Sequence, residues 1–304
     1  SGRERSFVDV PGHVRFLRNM LAGVGGVAAC VFVVAATEGW KPQSEEHLRI
    51  LELLGIGVGV VALTKAYLVD DDLLQLAHLD VAEHVEGTFL ADAPVVAVSS
   101  TTGLGLDQLR HELDALASPV DAAGDRGRPR LWVDRVFAAK GSGTVVTGTL
   151  TGGRLRVDQN VVVEPGGKAA RIRALQNAGR SADEIGPGNR VAVNLSGVDH
   201  DELGRGHAVV ASCQWRLTDR FDASVHVLAA LGHDLSRRGA FVAYIGSGEH
   251  SVRLRVLGTE TIAPGGDGAI RLFLPEALPL LPGDRFVLRE SGRDETIGGG
   301  EVLD

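Results

Sequence analysis

The chain has 304 residues, 44% hydrophobic and 23% charged, a balance typical of folded globular proteins and not of disordered ones. Its two cysteines, Cys30 and Cys213, fit neither a zinc-binding spacing nor a disulfide framework, which favours a reducing compartment. The longest apolar run, VAACVFVVAA at 27–36, is far shorter than the roughly 20 residues of a membrane-spanning helix.

The net charge of −8 is distributed unevenly. Residues 1–125 carry 8 basic and 18 acidic side chains, residues 126–216 carry 14 and 8, and residues 217–304 carry 9 and 13. A basic segment between two acidic ones is a candidate contact surface for a polyanion. Ordinary surface arginines explain the same counts, so charge alone leaves both interpretations open.

Residues 1–117 alternate apolar strands with helical patterns. Strands are predicted at SFVDV, VAACVFVVAA, VGVVALT and PVVAVSS, and the second of these should be buried on both faces of a sheet. Helices are predicted at HVRFLRNMLAGV, KPQSEEHLRILELLG, DDLLQLAHLDVAEHVEGT and LDQLRHELDALA. Pro42 suits the first turn of the second helix and Gly55 suits its end. The alternation predicts an α/β doubly wound sheet.

The pattern changes at residues 118–130, a linker rich in proline, glycine and charge. Short alternating strands separated by glycines follow, without a helical pattern of any length. We therefore predict two small all-β barrels, at residues 131–215 and 216–304.

Three polar stretches follow predicted strands of the first domain. In DVPGH, Asp9 would hold a Mg²⁺-bound water, the amide of Gly12 could approach a terminal phosphate, and His13 could orient a water for in-line attack. An Asp-x-x-Gly stretch is weak by itself, because many ordinary turns contain one.

The other two stretches follow the next strands of the sheet. In ALTKA, Thr64 and Lys65 could pack on a guanine ring, and in VSSTTGLG the amides of Ser99 and Ser100 could meet the oxygen of the base. The carboxyl ends of strands in an open α/β sheet are where ligands bind. Together the three stretches predict a nucleotide site.

In order and spacing, DVPGH, RNMLAGVGG, EHLRILELLGI, LTKA and SSTTGLG resemble the nucleotide domain of translation-factor GTPases. The chain is most similar to the selenocysteine-specific elongation factor family. The stretch VDRVFAAKGSGTVVTGTL resembles the second domain of that family. RIRALQ, GNRVAVNLSGV and RGHAVV separate it from elongation factor Tu, and PGDRFVLRE and TIGGGEVLD resemble the end of the third domain. The resemblance implies a cytoplasmic, monomeric GTP hydrolase that uses GTP and Mg²⁺, delivers selenocysteinyl-tRNA to the ribosome and does not bind membranes.

The chain departs from that family's pattern in two ways. The family's phosphate-binding loop, its first switch segment and the carboxy-terminal extension that binds a hairpin in the message are not among these 304 residues, which suggests a chain truncated at both ends. The family's Thr-Lys-x-Asp reads Thr64-Lys65-Ala66-Tyr67 here, and a phenol cannot replace the bidentate acceptance of a carboxylate. Asp70 is expected to face elsewhere. We expect this chain alone to be inactive as a GTPase.

Asp134 and Arg135 in VDRVF, with Arg190 in GNRVAV, resemble residues that line the family's aminoacyl pocket. Arginines would favour a selenol, which is ionised at neutral pH, over the neutral hydroxyl of serine. An ion pair inside the barrel, between Asp134 and one arginine, is the structural alternative, and both can hold.

Two alternative functions remain open: a general translation GTPase of the elongation factor Tu type, and a non-enzymatic pseudo-GTPase that binds RNA through its barrels. Trp40 is predicted to be an exposed aromatic residue. The arginines of DRGRPR and RIR are either phosphate contacts or solvated charges.

Overall fold

A computed structural model describes residues 7–10, 27–116, 124–139, 143–293 and 295–304. Contacts divide the chain into two compact units, one formed by Val27–Asp121 and one that contains Ala122–Asp304. The predicted helix HVRFLRNMLAGV lies outside the described residues. Residues 7–10, which belong to the strand predicted at SFVDV, carry no regular secondary structure, so that strand prediction is wrong for the part that is described.

The first unit, at residues 27–121, is built on a parallel sheet in which β2 lies between β1 and β3. The strands are β1 (Cys30–Ala35), β2 (Gly59–Thr64) and β3 (Val95–Ala97), and each is followed by a helix: α1 (Pro42–Leu53), α2 (Asp71–Val85) and α3 (Leu106–Leu116). The predicted alternation is confirmed, with Pro42 in the first turn of α1. The expectation that β1 is buried on both faces is wrong, because Val33 is 58% exposed.

The second unit begins with a closed six-stranded antiparallel barrel, which we call the first barrel. Its strands follow the cyclic order β4-β12-β7-β8-β11-β5. The elements are β4 (Arg130–Ala139), β5 (Gly143–Thr151), β6 (Leu155–Arg156), β7 (Asn160–Glu164), β8 (Lys168–Asn177), β9 (Arg180–Ala182), β10 (Glu184–Ile185), β11 (Arg190–Ser196) and β12 (Ala208–Ala211). Alternate residues of β5 and β11 point into the core, as period-two patterns require.

The second barrel is also closed and antiparallel, with strands in the order β13-β16-β15-β14-β17-β18. The strands are β13 (Thr218–Val227), β14 (Phe241–Ile245), β15 (Gly248–Leu257), β16 (Asp267–Leu278), β17 (Arg285–Glu290) and β18 (Glu295–Val302). The β13–β18 contact is close, because a Cβ added at Gly300 would lie 1.9 Å from the Ser224 carbonyl oxygen. The predicted pair of barrels is confirmed.

The two barrels share an interface. Trp132, Ala208 and Val210 of the first barrel belong to the same buried hydrophobic cluster as the core of the second. Arg130 donates two hydrogen bonds of 2.6 Å to the carboxylate of Asp284 across this interface, and its side chain is only 8% exposed.

Arg130 also stacks over the rings of Trp132 and Trp215, at 5.1 and 5.0 Å from the ring centroids. Arg128 covers Trp215 at 4.7 Å. Both interpretations of the DRGRPR arginines are therefore wrong for Arg130, which joins the barrels and is neither solvated nor available to a phosphate.

Candidate functional site

The ends of β2 and β3 lie side by side at the carboxyl edge of the parallel sheet. The amide of Ala66 donates to the carbonyl of Val98 at 3.3 Å, which ties the loop after β2 to the loop after β3. The Thr64 hydroxyl donates to the carbonyl of Val34 at 3.3 Å. Because the strands are parallel, Thr64, Lys65, Ser99 and Ser100 share one edge, as the sequence indicated.

Lys65 is held by a residue of the loop after β1. Its Nζ donates to Glu38 Oε1 at 2.7 Å, and its backbone is left-handed with φ of 58°. The hydrogen bond from Lys65, then its charge and that of Lys41, lower the pKa of the Glu38 carboxyl. Both side chains of the pair are about half exposed, so the pair orients Lys65 at the surface.

The loop after β3 uses one of the two expected amide donors internally. The buried Ser99 amide donates to the Leu104 carbonyl at 3.0 Å, and the Ser99 hydroxyl accepts from the amide of Thr102 at 3.1 Å. Ser100 is exposed. A Cβ at Gly105 would lie 2.0 Å from the Ala97 carbonyl oxygen, so only glycine lets the loop return this close to β3. The Ser100 amide therefore stays the predicted donor to the oxygen of the base, whereas the Ser99 amide is used within the loop.

The position that departs from the family's guanine-reading motif lies in a short turn. Tyr67 belongs to the 3₁₀ turn Ala66–Leu68, and its side chain is 46% exposed. Asp70 is the N-cap of α2 and accepts from the Leu73 amide at 2.9 Å. The expectation that Asp70 does not replace the missing aspartate is confirmed, because its carboxylate caps a helix.

Among the three DVPGH residues predicted for the site, only Asp9 is described. It is exposed, in a segment that groups with the second unit and not with the sheet. Gly12 and His13 lie outside the described residues. Within the described ranges, no three His, Cys, Asp or Glu side chains are grouped as metal ligands. The roles of Asp9, Gly12 and His13 therefore stay predictions.

Trp40 is not the exposed aromatic that the sequence suggested. Its ring is stacked between Phe32, at a centroid distance of 5.3 Å, and His84, at 4.9 Å. Its amide donates to Asp80 at 2.8 Å. Neighbours that are distant in sequence fix this residue, and local pattern could not show them.

The charged group of the first barrel is centred on a β-bulge. Val133 pairs with Gly148 and Arg135 pairs with Thr147, so Asp134 is the extra residue of β4. A bulge redirects a side chain out of the regular alternation. The Asp134 carboxylate accepts from the Thr147 hydroxyl at 2.7 Å and is only 12% exposed.

Arg190 and Arg135 have different surroundings in this group. Both terminal nitrogens of Arg190 donate to the two oxygens of Asp134, one of them at 3.0 Å. Arg135 is exposed and makes no ion pair with any residue that the structure describes. The ion pair proposed as the structural alternative is thus present between Asp134 and Arg190, while Arg135 is exposed.

Sequence reasoning missed two residues of this group. Thr147 faces Asp134 from β5, and Arg205 lies close enough for its guanidinium to interact with the Asp134 charge. Burial lowers the pKa of Arg205, and the charges of Asp134, Glu249 and Tyr244 oppose that effect. Strand alternation in GTVVTGTL indicates Thr147 as a polar position, but nothing local connects Arg205 to Asp134.

Three comparisons place this geometry among known proteins. The family model described as the elongation factor Tu GTP binding domain matches residues 1–119. The chain is 38% identical over 97% of its length to the selenocysteine-specific elongation factor of Desulfomicrobium baculatum, of which it covers 47%. It is 32% identical over 99% of its length to elongation factor Tu 2 of Streptomyces avermitilis, of which it covers 80%.

Among solved structures, a bacterial selenocysteine-specific elongation factor, EF-Sec, superposes with a TM-score of 0.86 at 30% identity, over 97% of this chain and 48% of that one. The chain belongs to the translation-factor GTPase family, a class of GTP hydrolases. Within it, the resemblance to selenocysteine-specific elongation factors is confirmed. The chain spans about half the length of those curated relatives.

None of the helices that the structure describes has the length and apolar character needed to cross a membrane.

Proposed function

We propose that this chain is part of a selenocysteine-specific elongation factor, which delivers selenocysteinyl-tRNA to the ribosome in a GTP-dependent step in the cytoplasm. The observation that carries the proposal is the charged group of Asp134, Arg135 and Arg190 on the first barrel. At the β4 bulge, Arg190 is held by Asp134, whereas the side chain of Arg135 is exposed.

The chemistry of this group suits an anionic aminoacyl side chain. A selenol is ionised at neutral pH, whereas the hydroxyl of serine is neutral, so cations near the aminoacyl ester favour the former. In this geometry Arg135 is the contact cation, because Arg190 already shares its guanidinium with Asp134. The Asp134–Arg190 pair limits the net positive charge of the pocket and fixes the direction of Arg190.

The sheet edge fits the base side of a guanine nucleotide in part. Thr64, Lys65 and Ser100 lie together at the carboxyl edge, where open α/β sheets bind ligands. Tyr67 does not fit, because a phenol cannot accept two hydrogen bonds from guanine as a carboxylate does. GTP and Mg²⁺, when bound, would supply the phosphate that is hydrolysed and its counter-charge. Since the 304 residues contain no Gly-x-x-x-x-Gly-Lys-Ser/Thr motif, we expect these residues alone not to hydrolyse GTP.

A direct test compares protection of two aminoacyl esters against hydrolysis, on selenocysteinyl-tRNA and on seryl-tRNA, in the full protein that carries this chain. Arg135→Ala should weaken selenocysteinyl-tRNA binding by about 5- to 150-fold, corresponding to about 1–3 kcal/mol for a charge-assisted contact. Binding of seryl-tRNA should change little. Arg255→Ala, an exposed arginine on the second barrel, is the matched control. Equal loss for both tRNAs would make Arg135 a phosphate contact and contradict the proposed selectivity.

One observation favours a second candidate, a pseudo-GTPase that binds RNA through its barrels. Tyr67 occupies the guanine-reading position, and Asp70 is committed to capping α2. A protein that binds tRNA equally well with and without GTP would support this second function.

A further inference from the structure

The turn between β14 and β15 lies close against the first barrel. A Cβ added at Gly246 would lie 2.3 Å from the Trp132 ring, and one added at Gly206 would lie 2.8 Å from the Gly248 Cα. Gly246 and Gly206 also have positive φ, of 58° and 90°. Glycines thus let the tip of the second barrel's hairpin, Gly246–Gly248, lie directly on the backbone of the first barrel.

Ser247 at this tip makes three hydrogen bonds to the first barrel. Its hydroxyl donates to the Val133 carbonyl at 2.5 Å and accepts from the Gly206 amide at 3.3 Å. Its carbonyl accepts from Arg205 Nε at 3.1 Å. The residue is 3% exposed, so water does not compete for these groups.

Two of these bonds involve residues that are linked to Asp134. Val133 directly precedes Asp134, and the bulge lies between Val133 and Arg135. Arg205 interacts with the Asp134 charge. Ser247 therefore holds the backbone where the bulge begins, and its carbonyl holds the side chain of an arginine that interacts electrostatically with the bulge residue.

We propose that Ser247 of the second barrel is a positioning residue for the aminoacyl pocket of the first barrel. A bulge is locally more twisted and less constrained by ladder hydrogen bonds than regular strand, so its side chain needs support from outside the ladder. Selective sites require their groups within about 0.5 Å of the productive geometry. The proposal rests on the proposed function of the Asp134 group, because it concerns how that group is oriented.

A matched control lies in the same interface. The Arg130–Asp284 pair also joins the barrels, and no bond from it reaches Asp134 among the residues the structure describes. Asp284→Asn weakens that pair without touching the hairpin tip. Comparing it with Ser247→Ala separates orientation of the pocket from general loosening of the interface.

The first measurement is the discrimination between selenocysteinyl-tRNA and seryl-tRNA, in the full GTP-bound protein that carries this chain. Ser247→Ala should reduce the ratio of the two affinities about tenfold, the low end for residues that orient a site group. Asp284→Asn should leave the ratio unchanged while lowering the melting temperature. Equal reductions in both variants, or none in Ser247→Ala, would overturn the proposal.

The second measurement does not depend on tRNA. The guanidinium NMR signals of Arg190 and Arg205, assigned with single Arg→Lys variants, report whether these side chains are held. Ser247→Ala keeps the main-chain carbonyl that accepts from Arg205 and loses only the hydroxyl bonds to Val133 and Gly206. It should therefore shift the Arg190 signal and speed rotation of that guanidinium while the Arg205 signal changes less, whereas Asp284→Asn should move neither. Unchanged signals in Ser247→Ala overturn the positioning role. If the wild-type protein shows no discrimination between the tRNAs but the signals move as expected, the proposed function fails and the positioning role stands.

Discussion

The edge of the parallel sheet and the charged group of the first barrel are assembled from different kinds of contact. At the sheet edge, Lys65 and Glu38 form an exposed pair, and Tyr67 is nearly half exposed. At the barrel, Asp134 is 12% exposed and is held by Thr147 and Arg190 from other strands. Loops that follow parallel strands can change one residue without disturbing the core. The bulge group joins side chains of three strands, β4, β5 and β11, so a change in any one of them disturbs the others.

The interface between the barrels should show the largest cost of a single change. Asp284→Ala leaves the guanidinium of Arg130 buried without its carboxylate, and such a loss typically costs about 3–5 kcal/mol. Urea denaturation followed by tryptophan fluorescence should show the decrease, because Trp132 and Trp215 stack on Arg130.

The control is Asp222→Ala, which breaks the bidentate Arg271–Asp222 pair on the surface of the second barrel. Its effect should be far smaller, because water replaces the lost partner. Similar effects for Asp222→Ala and Asp284→Ala would show that burial does not distinguish these pairs.

At the sheet edge, by contrast, one substitution should improve the selectivity for guanine. Tyr67→Asp, in a protein that joins this chain to a phosphate-binding loop, should raise the preference for GDP over ADP about 30-fold or more, since a paired carboxylate contributes about 2–5 kcal/mol. Competition against a fluorescent GDP analogue measures the ratio. Leu68→Asp, at the adjacent exposed position, should not change it. A ratio that stays the same in Tyr67→Asp would show that the turn does not reach the base.

The β13–β18 contact tests how closely the second barrel is packed. Gly300→Ala places a Cβ where the Ser224 carbonyl oxygen lies, so the strands must separate, and overpacking of this kind typically costs about 1–3 kcal/mol. Gly292→Ala is the control, because a Cβ there meets no atom within 4 Å. Thermal unfolding of both variants gives the comparison, and equal melting temperatures would mean that β18 shifts freely.

The smallest expected effect is a pH dependence of the second barrel. Burial lowers the pKa of His250 below its ordinary value of 6.5, and the charge of Glu276 only partly opposes this. The unfolded chain therefore binds a proton more readily than the native one, so stability is complete above about pH 6.5 and falls as the pH drops through the folded pKa.

His250→Gln should remove part of the stability loss between pH 7.5 and 5.5, by about 1 kcal/mol or less. Urea titrations of both proteins at the two pH values measure it. Burial also lowers the pKa of His207, so this residue should keep part of the pH dependence of stability in the His250→Gln variant. Equal losses in both proteins would show that His250 does not contribute to this range.

The order of the helices and strands could be predicted from the amino-acid pattern. Period-two and helical patterns predicted β1 to β3 with their helices and the two barrels, because each element buries its own apolar face and repeats locally. The pattern also predicted that Thr64, Lys65, Ser99 and Ser100 lie at one edge of the sheet. The reason is that parallel strands place their carboxyl ends at the same edge.

The partners of individual side chains could not be predicted in this way, because they depend on the folded arrangement of the elements. Arg130 was predicted to be either a phosphate contact or a solvated charge, yet it pairs with Asp284, which lies 154 residues further along the chain. Trp40 is stacked by Phe32 and His84, and Ser247 reaches Val133 across 114 residues. A local pattern carries the periodicity of one element, whereas charge pairing and aromatic stacking depend on which elements the barrels and the sheet bring together.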